Sequence, residues 1–435
     1  MSKLWIFILW LLITASTPFL PTPETTSSPQ LDNLPLQRVT TERATPQAGL
    51  PPTSCTPYLV ALGYETAVYQ DRFLFAASTD NTVTIWHYGQ NFTDDKIVAQ
   101  VEITDGQTPP NKLPSGMLNS VALSPDGKTL ATATKQSKVD LWDAMTGKML
   151  HRLDTFTSWI SSAAFTPDSS KLIIVNDMSE PEVWDVQSGK LLNKFAGVSA
   201  IRAESLSLDG KLFVVSDNLG HLNVSDITLG KPLYEKYVPA EIHLAEFSPD
   251  NRLLMMGDVT GAVSVLDART GHELNSLPVQ KALSANRALF TFDNKVVIIN
   301  YSTLFFKSEK STIVVAYDMQ TWKSLYTIKD PDAWIDGEAL SPDGKTLLTA
   351  VGHTKIELWD ARSGKLLHSL GNPSLLHAGG KQESPDYYAN NWLYLAFSSD
   401  SKRFLTGDTF GIDLWWDTQT GQLIGPLCPL LAIDR

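Results

Sequence analysis

The chain has 435 residues, with 35 Lys and Arg against 47 Asp and Glu, a formal net charge of −12 and two cysteines. No run of basic residues occurs, so a nucleic-acid backbone has no electrostatic footing here. The same acidic balance argues against adhesion to anionic membrane surfaces.

The chain opens Met1-Ser-Lys3, runs through apolar residues from Leu4 to Ile13, and continues Thr14-Ala15-Ser16. One positive charge, a short apolar core and small residues describe a secretory signal peptide over 1–16. The apolar run is short for a spanning helix, which needs about 20 residues. An uncleaved N-terminal membrane anchor is the alternative reading. Residues 17–54 are rich in Pro, Thr, Ser, Gln and Glu. Such a segment buries too little apolar surface to fold and reads as a flexible linker.

From there the sequence repeats itself. Val139-Asp-Leu-Trp142-Asp143, Pro181-Glu-Val-Trp184-Asp185, Ile356-Glu-Leu-Trp359-Asp360 and Leu414-Trp-Trp416-Asp417 are near copies, each followed by Ser/Thr-Gly. A second marker lies upstream: Ser124-Pro-Asp126-Gly, Thr166-Pro-Asp168-Ser, Ser207-Leu-Asp209-Gly, Ser248-Pro-Asp250-Asn, Ser341-Pro-Asp343-Gly and Ser398-Ser-Asp400-Ser. In all six the later Asp (143, 185, 226, 267, 360 or 417) follows the turn Asp by 17 positions. Pro presets φ, Asp bonds nearby backbone and Gly or Asn accepts positive φ, so the upstream marker is a tight turn.

Between the turns the residues alternate and favour strands. Ser120-Val-Ala-Leu, Thr129-Leu-Ala-Thr-Ala-Thr, Val139-Asp-Leu-Trp142 and Met149-Leu-His-Arg-Leu153 form one unit. Four short strands in about 40 residues are the layout of a propeller blade. No sustained 3.6-residue apolar period appears, which predicts almost no helix in the body.

These residues resemble the WD-repeat β-propeller family, of a bacterial, exported type. The resemblance covers the chain from about Tyr58 to Leu427 and implies an all-β propeller of four-stranded blades over 55–428, with a tail at 429–435. One departure stands out. The Gly-His pair that commonly opens a WD repeat is absent from every unit, which puts its His–Asp–Ser/Thr–Trp network in doubt. Trp159 and Trp334 are the residues that could fill some of that space. The structural blade residues are Trp86, Trp142, Asp143, Trp184, Asp185, Trp359, Asp360, Trp416 and Asp417. Third strands end at Trp86, Trp142, Trp184, Ser225, Leu266, Tyr317, Trp359 and Trp416, which favours eight blades, with seven as the alternative. The unit at Tyr317 is stretched, with the surplus at Tyr301 to Lys310 read as an elongated hairpin between its second and third strands.

A closed ring brings the first and last strands together, so Cys55 and Cys428 are expected to form a disulfide; export supplies the oxidising compartment it needs.

No two of the eight histidines are spaced as metal ligands with a third partner, and no cysteine lies near any. Each is expected at a surface or loop position. No Gly-x-Ser-x-Gly elbow, phosphate loop or EF-hand pattern occurs. No metal, cofactor or catalytic residue is assigned. Propellers of eight blades include quinone-dependent dehydrogenases, but the chain has neither a vicinal Cys pair nor a haem-attachment motif.

The function expected is an exported protein-interaction scaffold: periplasmic, cell-surface or extracellular, touching membrane only through an uncleaved anchor. The alternative is a propeller enzyme, dehydrogenase-like or hydrolytic, whose site is assembled from several blades. Three irregular connections are the candidate partner-binding loops. Residues 105–117 carry Pro109-Pro110, residues 301–310 carry Leu304, Phe305 and Phe306, and residues 371–391 carry Tyr387 and Tyr388 and run on to Trp392. Exposed aromatics on such loops are common hot spots. Asn91, Asn223 and Asn300 head Asn-x-Ser/Thr sequons, read as chance occurrences.

Overall fold

The computed structural model describes strand backbone at 73–77, 82–87 and 96–102, and most residues from 118 to 371 and from 394 to 426. Among these residues there are eight antiparallel sheets: one of three strands and seven of four. The three-stranded sheet one spans 73–102. Sheets two to eight span 118–154, 160–194, 201–237, 242–277, 284–328, 335–371 and 394–426. Each unit counted in the sequence corresponds to one sheet, and seven of them are complete four-stranded blades. No helix occurs among the described residues.

The strand order within every four-stranded sheet follows the sequence, as tight turns between antiparallel neighbours require. First strands of consecutive sheets touch one another, so they form the inner layer. Second strands such as Thr129–Thr134, Leu212–Asp217 and Thr346–Val351 are buried at every residue. They lie between neighbouring sheets, and Thr129–Thr134 combines apolar and small hydroxyl side chains. Fourth strands such as Lys190–Lys194 and Leu366–Gly371 are mostly exposed and form the rim.

The core is divided among the seams. Ala122, Leu141 and Ile160 pack with Leu172 and Trp184 between sheets two and three. Equivalent apolar clusters fill the five following seams up to sheet eight. Each fully buried Leu or Ile contributes about 2 kcal/mol relative to exposure. A blade therefore has no core of its own and is stable only against its neighbours.

The stretched unit behaves as its spacing requires. In sheet six, Val296–Ser302 pairs with Thr312–Asp318 from Val296↔Asp318 to Ser302↔Thr312. The surplus residues therefore lie between Ser302 and Thr312. Tyr58 to Leu62, Cys55, Cys428, the leader and the linker lie outside the described residues.

Candidate interaction face

The sheets have two chemically different ends. At one end lie the turns joining first to second strands and third to fourth strands. At the other end each first strand begins, and the second-to-third hairpins and sheet-to-sheet connections gather.

The turn end is built from short-range hydrogen bonds. In the upstream turn, Ser124 Oγ donates to Asp126 Oδ1 at 2.7 Å while accepting from Thr129 N at 2.9 Å. The same pattern recurs at Ser207–Asp209, Ser341–Asp343 and Ser398–Asp400. Sheet six does it with Thr291 and Asp293. In the downstream turn, Asp143 Oδ1 accepts from Met145 N, Thr146 N and Thr146 Oγ1. Asp185, Asp360 and Asp417 accept equivalent bonds from Ser188, Ser363 and Thr420. These bonds hold the Asp185, Asp360 and Asp417 carboxyls below the usual carboxylate range. An aspartate here is occupied with its own loop.

The blade tryptophans hold seams. Trp142, Trp184 and Trp416 are buried, and Trp359 packs against the cluster between sheets six and seven. Trp142, Trp359 and Trp416 each donate Nε1–H to the Thr ten residues earlier, at 2.9–3.0 Å. Where that residue is Ile174, Trp184 donates instead to Glu182 Oε2 at 3.1 Å. The Thr–Trp half of the hydrogen-bond network thus survives without the missing His. Trp86 lies in the strand Thr82–His87; its side chain and Trp159 lie outside the described residues.

One inter-sheet device was not read from the sequence. In four sheets, nine residues after the third-strand Trp or its counterpart, a fourth-strand ring covers the left-handed Gly of the next sheet's downstream turn. His151 meets Gly189, Tyr234 meets Gly271, Tyr326 meets Gly364 and His368 meets Gly421. His151 Nε2 and His368 Nε2 each lie 2.9 Å from a carbonyl of that turn. Tyr326 Oη donates to Ala361 O at 2.7 Å. None of the described histidines is buried, but a surface position is not the whole of their role. His151, His221, His243 and His368 lie in strands, and two of them couple sheets, because a half-buried ring bridges a gap that Leu could not hydrogen-bond across.

The opposite end is irregular by construction. The first strands of sheets two to seven all shift register at the same place, and each shift skips one residue. The skipped residues are Asn119, Ser161, Arg202, His243, Asn286 and Asp336, all polar. A β-bulge re-aims its extra residue out of the ladder, and at this end Arg202, His243 and Asn286 are the described side chains at those positions.

Around the central bulges the side chains are linked. Arg202 Nε forms an ion pair with Glu241 Oε1. Glu241 Oε1 lies 3.2 Å from His243 Nε2, and His243 Nδ1 lies 3.1 Å from Ser284 Oγ. Asn286 Nδ2 donates to Ser302 Oγ at 2.7 Å. Farther out, buried Asp217 accepts from Leu219 N and His221 N and fixes His221 Nδ1 at 2.9 Å. The His221 ring packs on Tyr237, centroids 5.4 Å apart. Leu219, Tyr237 and Val279 are 56%, 65% and 52% exposed, so this end carries apolar anchors beside positioned polar groups.

Leu304, Phe305, Phe306, Tyr387, Tyr388 and Trp392 lie outside the described residues. The strand ends from which their connections depart, at Ser302 and Gly371, belong to the bulged end. Among the described residues no group of three His, Cys, Asp or Glu could hold a metal ion. Asn300 is 8% exposed and donates to Glu338 Oε2, so its sequon is closed in the folded protein.

Comparison with known proteins fits this architecture. The family model "WD domain, G-beta repeat" matches residues 109–143. The small ribosomal subunit protein RACK1y of Oryza sativa subsp. japonica is 35% identical over 81 residues, 19% of this chain and 20% of that protein. The match thus spans about a fifth of the relative's length. The C-terminal WD40 domain of Sif2 superposes with a TM-score of 0.61 at 16% identity, over 80% of this chain and 93% of that one. The computationally designed Ika8 protein gives 0.60 at 18% identity, over 80% and 94%. At these identities the two structures speak to the fold alone. With the repeat phrase, the seam tryptophans and the four-stranded sheets, they give this chain the fold of a β-propeller and support a WD-repeat family.

Proposed function

We propose that this propeller is an exported, non-catalytic scaffold whose protein partner docks on the bulged end. The observation that carries the reading is the set of six equivalent bulges, each with a polar residue at the extra position of an inner strand. A fold that keeps its blades constant and varies one end is built to be read there. The exposed Leu219, Tyr237 and Val279 supply anchors of the kind that dominate interface energy. WD repeats, and the RACK1y match, support a protein partner in general terms. Export rests on the leader at 1–16, and a Cys55–Cys428 bridge would follow from it; a thiol assay under denaturing conditions checks the bridge, which two titratable thiols would exclude.

A hydrolytic reading has one arrangement in its favour, the Ser284–His243–Glu241 chain. Ser284 is 1% exposed, and a nucleophile needs an open side to an acyl carbon. We read the chain as a clamp that orients His243.

The test is a paired substitution. Leu219→Asp with Tyr237→Ala and Val279→Asp should lower recovery of crosslinked envelope partners at least tenfold. Leu229→Asp, at the turn end, should leave recovery unchanged. Equal recovery from both variants would falsify the assignment of the face. Labelling of Ser284 by a serine-reactive phosphonate would instead favour the hydrolase.

A further inference from the structure

The inner seams of sheets three to seven hold a row of ionisable groups that recognition does not use. Ser162 Oγ donates to Glu204 Oε1 across the seam between sheets three and four. Glu204 is 3% exposed, and its Oε2 has no hydrogen-bond partner. Ser205 Oγ donates to Glu246 Oε2 at 3.1 Å across the next seam. Arg287, 8% exposed, donates Nη1 to Glu338 O at 3.0 Å and lies 3.7 Å from Glu338 Oε1, joining sheets six and seven. Asn300 Nδ2 donates to Glu338 Oε2 at 3.1 Å. Arg287 also attracts Glu246 from sheet five.

The charges do not balance. One guanidinium stands against three carboxyls, buried Glu204 and Glu338 and partly buried Glu246, and it acts on only the last two. Burial raises Glu338 as well, but it alone has both the ion pair and the amide donor, so it is the best placed of the three to carry the negative charge. Glu246 is then surplus, with one hydroxyl donor and a share of an engaged Arg. Glu204 has one hydroxyl donor and no cation. An ionised carboxylate in such surroundings is costly unless paired, and the neutral acid is not.

The other charged groups described on the packed strands are Lys171, Arg202, Asp217, His243 and Asp258. Lys171 lies at the turn end beside Thr166 and Ser170, and the other four lie at or beside the bulged end with their own partners: Arg202 and His243 meet Glu241, Asp217 meets His221, and Asp258 accepts from Thr260 and Ala262.

We propose that Glu204 and Glu246 form a proton-held latch: with both carboxyls neutral the inner seams are closed, and loss of their protons loosens the ring between sheets three and five. Burial is the leading cause in both groups and pushes each carboxyl up to about 7. A raised carboxyl makes the folded state the better proton binder. Its stabilisation is complete below the unfolded value and is lost as pH rises through the folded one. The latch therefore holds in mild acid and weakens above neutrality. It is independent of which partner binds the bulged end.

The experiment is urea unfolding of the full chain at pH 5 and pH 8. For the wild type the latch raises the unfolding constant by roughly two orders of magnitude per group over that interval. Glu204→Gln and Glu246→Gln should each remove their share, and the double variant should remove both. An unchanged pH dependence in the double variant overturns the proposal. Should a variant fail to fold, isotope-edited infrared spectroscopy of wild type with labelled glutamate gives a second readout. A protonated-carboxyl band at pH 6 that fades by pH 9 supports the latch, and its absence at pH 6 refutes it.

Discussion

The carboxyls of the turn end and those of the inner seams are the same chemical group in opposite settings. Asp185, Asp267, Asp318, Asp360 and Asp417 accept hydrogen bonds from Ser or Thr and backbone N–H groups within their own loops, which favour the ionised form and lower all five. Glu204 and Glu246 have one hydroxyl donor each and are raised by burial. The turn set adds stability above the unfolded carboxylate range and loses it as pH falls through its lowered values. The seam set does the reverse and loses its contribution as pH rises through about 7. Together these two sets favour the ring on the acid side of neutrality, above the range in which the turn carboxyls take up protons. The contrast teaches that local loops and inter-blade seams respond to different conditions, although one repeat unit builds both.

Breaking a seam should cost most. Arg287→Met leaves Glu246 and Glu338 without a cation, and loss of one partner from a buried pair costs about 3–5 kcal/mol. Urea unfolding at pH 7 measures it, and the deficit should shrink at pH 5 as the carboxyls take up protons. A deficit that grows in acid would contradict the seam electrostatics. Next comes Trp142→Ala, which opens a cavity at a buried site in sheet two and leaves Thr132 Oγ1 without its donor. The expected loss is about 3–4 kcal/mol, read as a lower urea midpoint and with little pH dependence. The smallest effect is at a turn. Asp360→Ala removes acceptors from Ser363 N, Ser363 Oγ and Arg362 N and should cost about 1–2 kcal/mol. Because Asp360 is lowered, that cost should be full at pH 7 and vanish in strong acid. Thermal scans at pH 7 and pH 3 separate it from the seam variants.

The architecture was legible because its determinants are local and periodic. The 17-residue interval from Asp126 to Asp143 spans two strands and two turns, and nothing long-range can alter it. Thr129–Thr134 was readable residue by residue for the same reason. The bulges were not read, since Ile201-Arg202-Ala203 looks like ordinary alternation until the register is seen. Aligning the units on their turn Ser or Thr shows the signal: an apolar residue six places before it, then a polar one. The fourth-strand position of His151, Tyr234, Tyr326 and His368 was available by the same alignment, but its meaning depends on the Gly it covers in another blade. Glu204 and Glu246 were invisible in principle. A Glu following Ala in a strand reads as a solvent-facing position, and only assembly of the neighbouring sheet covers it.

The bulges separate what the protein can say from what keeps it folded. Ile201 and Ala203, on either side of Arg202, are buried, as are Ile242 and Leu244 beside His243. The residue between them contributes little to the core, so it can be exchanged one codon at a time while the blade stays intact. Six such positions amount to a short address written around the inner strands, and a lineage could redirect this scaffold to a new partner without passing through an unfolded intermediate.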